Sequence, residues 1–168
     1  STITTLTNTG TISGSAVDKN GYGIYVYNTS SVGTITNSVT ISASADYSDA
    51  FGIHVEDTST VGTITNSGTI TASAAESTAV GIFVDTRASV GTITNSGLIT
   101  TTAGEDDAVG IYVDTYSIVD NIDNTGTISV TAGIKEASGI RVETSSTITT
   151  LTNSGLIEAI SLGVDVNG

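Results

Sequence analysis

Val61-Gly62-Thr63-Ile64-Thr65-Asn66-Ser67-Gly68-Thr69-Ile70 decides the reading of this chain, because close copies of it recur along all 168 residues at one spacing. Its asparagine returns at Asn8, Asn37, Asn66, Asn95, Asn124 and Asn153, always after the same 29-residue step. Units 3–31, 32–60, 61–89, 90–118 and 119–147 align without a gap, and a shortened unit occupies 148–168. One uninterrupted period of this length marks a repeat architecture, in which each unit buries its apolar face against its neighbours rather than around one centre.

Inside the unit the alternation has period two, which is the strand signature. It sets Gly62, Ile64, Asn66, Gly68, Ile70, Ala72 and Ala74 on one side and Thr or Ser on the other, with Val80, Ile82 and Val84 together in a later run. Asn66-Ser67-Gly68 reads as a bend. Three strands per unit are expected, near 63–65, 69–73 and 81–85. Stacking the units builds ladders of like residues: Leu6, Ile35, Ile64, Ile93, Ile122, Leu151 on one wall; Ile12, Ile41, Ile70, Ile99, Ile128, Ile157 on a second; Ile24, Ile53, Ile82, Ile111, Ile140 on a third. Val32, Val61, Val90, Val119 and Ile148 mark a corner. Tyr22, Phe51, Val80, Val109 and Ser138 form a tapering inner edge. The fold class is therefore all-β, a parallel β-helix or β-solenoid with three strands per 29-residue coil and about six coils in one domain, 1–168. A leucine-rich repeat is the main rival, since its units can also run to about 29 residues. It is rejected because Leu occurs only at 6, 98, 151, 156 and 162 and no stretch has helical periodicity.

Composition narrows the function. The chain carries 17 acidic residues against 4 basic ones, a net charge of −13, which repels phosphate backbones and excludes nucleic acid as a partner. Hydrophobic residues make up 38% and fall in a strict pattern, so the acidity does not signal disorder. With no cysteine there are no disulfides or zinc-thiolate sites. The absence of an apolar run long enough to span a bilayer argues against direct membrane insertion. Neither end reads as a polar cap, so the chain is expected to be a slice of a longer protein whose open ends self-associate.

The reiterated T-I-T-N-S-G-x-I with a following G-I-x-V resembles the passenger region of bacterial autotransporters, and the resemblance runs through all 168 residues. It implies a right-handed coil, export to the bacterial cell surface or beyond, and a host-surface protein or a glycan as partner. Similar coils occur in secreted adhesins and phage tail fibres.

Four sets of residues are candidates for a role. The Asn ladder is expected to satisfy itself inside the coil, amide on amide. Tyr25, His54, Phe83 and Tyr112 form an outward aromatic strip, with Arg141 next in the column and Tyr27, Glu56, Asp85, Asp114 and Glu143 two residues on; stacked aromatics beside acids suit a sugar or a cation, and suit ordinary cross-strand packing equally. Outward threonines at Thr34, Thr36, Thr63, Thr65, Thr92 and Thr94 form the rows that ice-binding solenoids use, interrupted at Asn121 and Asp123. Acids at Asp46, Asp49, Glu76, Glu105, Asp106, Asp107 and Glu136 are expected in a solvated loop between the second and third strands. With one His, no Cys and no calcium-binding motif, neither a catalytic site nor a metal site nor a cofactor is expected. The leading reading is a non-enzymatic structural or adhesive rod displayed outside a bacterial cell. Ice binding is the first alternative, and a polysaccharide-acting enzyme using Glu105, Asp106, Asp107, Asp120 and Asp123 is the second.

Overall fold

The computed structural model of the chain describes residues 1–143 and 145–163. The first coil contributes β1 (Thr2–Asn8), β2 (Thr11–Ala16) and β3 (Gly21–Val26); the second β4 (Ser31–Asn37), β5 (Thr40–Ala45) and β6 (Ala50–Val55). The third holds β7 (Thr60–Asn66), β8 (Thr69–Ala74) and β9 (Ala79–Val84); the fourth β10 (Ser89–Asn95), β11 (Leu98–Ala103) and β12 (Ala108–Val113). The fifth holds β13 (Ile118–Asn124), β14 (Thr127–Ala132) and β15 (Ala137–Val142), and the sixth β16 (Thr147–Asn153) and β17 (Leu156–Ser161). Each strand lies parallel to its equivalents one coil away. The walls are two six-stranded sheets, β1-β4-β7-β10-β13-β16 and β2-β5-β8-β11-β14-β17, and one five-stranded sheet, β3-β6-β9-β12-β15. The chain is thus an all-β parallel β-solenoid. Residues 164–168, where the third wall of the last coil is expected, lie outside the described residues.

The register is constant from coil to coil, so Ile35 pairs with Ile64, Ile64 with Ile93 and Ile93 with Ile122 on the first wall. Ile53, Ile82 and Ile111 do the same on the third. All seven of these isoleucines are at most 1% exposed, and they sit in one continuous core with Ile41, Ile70, Ile99 and Ile128 of the second wall. β-Branched side chains stacked on their own copies suit this interior, because their stiff side chains pack well against neighbours on a pleated surface.

The strands are longer than the sequence suggests, and the alternation breaks at one residue on the first and third walls. Register partners run Val61, Thr63 on the first wall and Val80, Ile82 on the third, leaving Gly62 and Gly81 outside the one-to-one pairing. Each break shifts the phase by one residue. Val61 consequently faces the core, while Gly62, placed inside by simple alternation, is exposed. On the third wall Val80 lies outside the tube: Phe51, Val80 and Val109 form a second apolar cluster with Tyr22, Phe83 and Tyr112, separate from the core that holds Ile82 and Val84. The inner edge expected at Tyr22, Phe51, Val80, Val109 and Ser138 is therefore an outer one. At Gly81 the approach is close, since a Cβ would come 2.5 Å from Ile99 Cγ2 and 2.6 Å from the Gly110 carbonyl oxygen.

Coils are joined by a turn of type I′ form, in which two central residues take positive φ. Asp57 (φ 56) and Thr58 (φ 57) are the pair after β6, and the Ser59 amide donates to the Glu56 carbonyl at 3.2 Å. The same conformation recurs at Asn28 and Thr29, Thr86 and Arg87, and Thr115 and Tyr116. Ser59, Ala88 and Ser117 then turn inward and are essentially inaccessible.

Candidate functional site

The most regular polar feature is structural. Asn37 Nδ2 donates to Asn66 Oδ1 at 2.8 Å, Asn66 to Asn95 at 2.8 Å, and Asn95 to Asn124 at 2.7 Å. Each amide also bonds a backbone carbonyl of the next coil, as Asn66 Nδ2 does to Leu98 O at 3.1 Å. Asn8 begins this column and Asn153 ends it. The side chain that terminates the first strand thus ties the bend to the coil above, and with exposures of 0–1% from Asn37 to Asn124 it has no face left for a ligand.

On the outer face of the third wall, Tyr25, His54, Phe83 and Tyr112 come together in a nearly continuous ring stack. Centroid separations along it are 5.3 Å from Tyr25 to His54, 4.7 Å from His54 to Phe83 and 4.9 Å from Phe83 to Tyr112. Arg141 closes the column with its guanidinium 5.6 Å over the Tyr112 ring. Tyr22 and Phe51 fill the valley beside it, 4.4 Å from Tyr25 and 4.7 Å from His54. The strip is consequently far less open than alternation suggests: Tyr25 is 36% exposed but His54 only 4%. Stacked on one another, the rings offer their rims, not their faces, to solvent, which removes the flat platform a sugar needs. At the first coil Ile3, Tyr25, Val26, Tyr27 and Val32 line a cavity of about 110 Å³.

The acids two residues on stand beside this stack. Glu56 accepts a hydrogen bond from the Tyr25 hydroxyl, and Asp114 Oδ2 accepts one from Tyr112 at 3.2 Å. Burial, together with the charges of Asp114 and Glu143, pushes the Tyr112 phenol up to about 12. Burial pushes the His54 imidazole below its ordinary value, against the opposing pull of Glu56, Asp85 and Asp49. Both ring nitrogens of His54 lack a hydrogen-bond partner among the described residues, and Nε2 is 3.6 Å from Glu56 Oε2. The ligand atoms of His54, Glu56 and Asp85 lie within 4.8 Å of one another.

The threonine rows stand in register on the first wall, Thr34 on Thr63 on Thr92 and Thr36 on Thr65 on Thr94, all half-buried, and they end against Asn121 and Asp123. The loop acids are not simply solvated. Asp49 Oδ1 accepts from Ser77 Oγ at 2.5 Å and the Thr78 amide at 3.2 Å, and Asp107 Oδ1 accepts the Glu136 amide at 3.1 Å, so both brace the loop of the next coil. Asp107 Oδ2 also meets Arg141 Nη1 at 2.8 Å, Glu136 meets Nη2 at 2.8 Å, and Asp106 meets Lys135 Nζ at 2.9 Å. Burial pushes the Asp107 carboxyl up, but the hydrogen bonds from Arg141 and the Glu136 amide, with the Arg141 and Lys135 charges, outweigh it and hold the group below the usual range. Asp120 and Asp123 lie on β13 of the first wall, whereas Glu105, Asp106 and Asp107 lie in the loop from the second wall to the third. The fold does not gather these five into one groove.

Sequence reasoning missed three things: the burial of His54, the serine column at the coil junctions, where Ser59 Oγ accepts the Ser30 amide at 3.1 Å, and the bracing of the loops. The signal for the first was present, because large aromatics at both 51 and 54 in one strand must cover each other if Gly52 resets the phase. Against protein families, curated proteins and solved structures the chain shows no match.

Proposed function

We propose that the chain is a non-enzymatic rod segment of a bacterial surface-exposed or secreted protein, working through length, stiffness and an outward face. The observation that supports it is the constancy of the register: each described strand pairs with its equivalent one coil away, and the interior is filled by stacked Ile, Val, Ala and Asn. A tube filled in this way leaves no internal groove for a substrate among the described residues. The autotransporter-like repeats support export and display, with a host-surface protein or a glycan as partner. Six coils at about 4.8 Å give a rod about 29 Å long. Small-angle scattering tests this directly: insertion of a further copy of residues 61–89 should lengthen the particle by about 4.8 Å at constant cross-section, and a particle that gains cross-section instead of length refutes the rod.

A second reading, ice binding, is favoured by the in-register threonine rows, whose hydroxyls and methyls repeat at the strand spacing on one wall. Thermal hysteresis of the purified chain, with Thr65→Tyr as the interrupting control, decides it. No hysteresis and no change in crystal shape at high protein concentration removes the idea.

A further inference from the structure

Buried polar groups in folded proteins are hydrogen-bonded, and each exception calls for a physical account. His54 is such an exception. Neutral imidazole has one N–H to donate and one lone pair to accept with, yet neither nitrogen is satisfied in a residue only 4% exposed. The ring is locked by Phe51 and Phe83, both 4.7 Å away, so it cannot swing out to water without breaking the stack. What Nε2 does face is a carboxylate, Glu56 Oε2 at 3.6 Å, too far for a hydrogen bond.

The surroundings turn that orphan into a site. Glu56 follows His54 by two residues, which directs both side chains to the same face. Its other oxygen is engaged by the Tyr25 hydroxyl, so the carboxylate is held in place. Asp85 occupies the position equivalent to Glu56 one coil along; its Oδ1 takes the Thr86 amide at 2.6 Å, and Oδ2 has no hydrogen-bond partner among the described residues. Coil by coil, the column at 54 reads Tyr25, His54, Phe83, Tyr112, Arg141, and the column at 56 reads Tyr27, Glu56, Asp85, Asp114, Glu143. Only at the second coil does an imidazole nitrogen meet carboxylates from its own coil and the next.

We propose that His54 Nε2, Glu56 and Asp85 form a binding site for a divalent transition-metal ion, with zinc the best fit and water completing the shell. One imidazole nitrogen and carboxylate oxygens are a borderline donor set, suited to zinc and its neighbours rather than to calcium, which takes six to eight oxygens. Zinc bonds to such ligands at about 2.0–2.2 Å, so a tetrahedral site has edges of about 3.4 Å. The 3.6 Å between His54 and Glu56 already matches that edge, and the 4.8 Å bound on the set leaves a closure of at most about 1.4 Å for the half-buried Asp85 side chain to make. A neutral imidazole presents the ring lone pair that a metal ion takes up. Tyr25 acts on the ion through Glu56, as outer hydrogen-bond partners of metal ligands do. A net charge of −13 favours cation approach, and Glu56 at 26% side-chain exposure leaves the entry open.

His54 is the single histidine of the chain, so its ring resonances report on the site without assignment ambiguity. The chain, first stripped with a chelator, is titrated with zinc chloride while those resonances and the heat of binding are followed. One equivalent should bind, with the His54 ring shifted at saturation. Glu56→Gln and Asp85→Asn should each weaken binding by about ten-fold or more. His54→Phe should abolish it while keeping the stack, as Phe83 does one coil on. Metal-free His54→Phe should also melt above the metal-free parent, since it removes both orphaned nitrogens, and zinc should raise the melting temperature of the parent alone. The proposal is overturned if the His54 ring does not respond to millimolar zinc, or if His54→Phe binds zinc as tightly as the parent. It is overturned equally if calcium binds as well as zinc whether or not His54 is present, which would mark an ordinary acidic surface.

Discussion

Replacing Asn95 by alanine tests whether the amide column holds the coils in register. The Asn95 side chain is fully buried; its Nδ2 donates to Asn124 Oδ1 at 2.7 Å and to the Thr127 carbonyl at 3.2 Å, and its Oδ1 accepts from Asn66 Nδ2 at 2.8 Å. Asn66 Nδ2 keeps its bonds to Gly68 O and Leu98 O after the change, but Asn124 Oδ1 loses the Asn95 donor inside the tube. A net loss of about 1 kcal/mol for each well-formed bond, with about 1–3 kcal/mol for an acceptor left unsatisfied, gives about 2–4 kcal/mol for Asn95→Ala. Asn153 carries the same sequence context at an exposed position, so Asn153→Ala should cost under about 1 kcal/mol. Equilibrium urea unfolding followed by circular dichroism measures both, with an unchanged slope as the check that the same coils unfold. Equal midpoints for the two variants would show that burial of the column contributes nothing, and would refute a stabilising internal amide ladder.

Thr101 places a buried hydroxyl with no partner among the described residues where the next coil has Val130; Thr101→Val should raise stability by about 1 kcal/mol in the same urea assay. Gly81→Ala forces a methyl against Ile99 and the Gly110 carbonyl and should cost about 1–3 kcal/mol, whereas Gly91→Ala should cost less, because Asp120 already occupies the equivalent position one coil on. Asp107 has a depressed carboxyl pKa, so the stability it contributes is present above its ordinary value of 3.8 and is lost as pH falls through the lower folded value. Acid titration of thermal stability should therefore show a smaller loss below about pH 4 in Asp107→Asn than in the parent.

The solenoid was legible because ladder chemistry survives translation by one coil: isoleucine on isoleucine and asparagine on asparagine need only the period to be placed. What the sequence obscured were the phase shifts. Gly62 and Gly81 interrupt strict alternation, so Val61 and Val80 took sides opposite to those assigned by counting in twos, and the place of Tyr22 and Phe51 beside the outward aromatic strip went unrecognised. The same error hid His54, which looks exposed until Phe51 is moved to its side of the strand. Turn chemistry was silent for a different reason. The positive-φ pairs include Asp-Thr, Thr-Arg and Thr-Tyr, in which threonine, arginine and tyrosine have no preference for that conformation and take it from the coil they close. The site acids were visible, but only the fold says that Asp107 is paired and braced while Asp85 Oδ1 takes only the amide of the residue after it.

The constant pairing distance carries a consequence for how the chain folds. Each strand must find a partner one coil away, however many coils the molecule has. The entropy of closing a loop grows only with the logarithm of its length and is here the same for every coil. The separation along the chain that each strand pair must close therefore stays fixed as the rod grows. Once one pair of coils has formed, each later coil adds to a finished edge at a fixed entropic cost. Deleting residues 61–89 should accordingly leave the refolding rate of the shortened chain nearly unchanged.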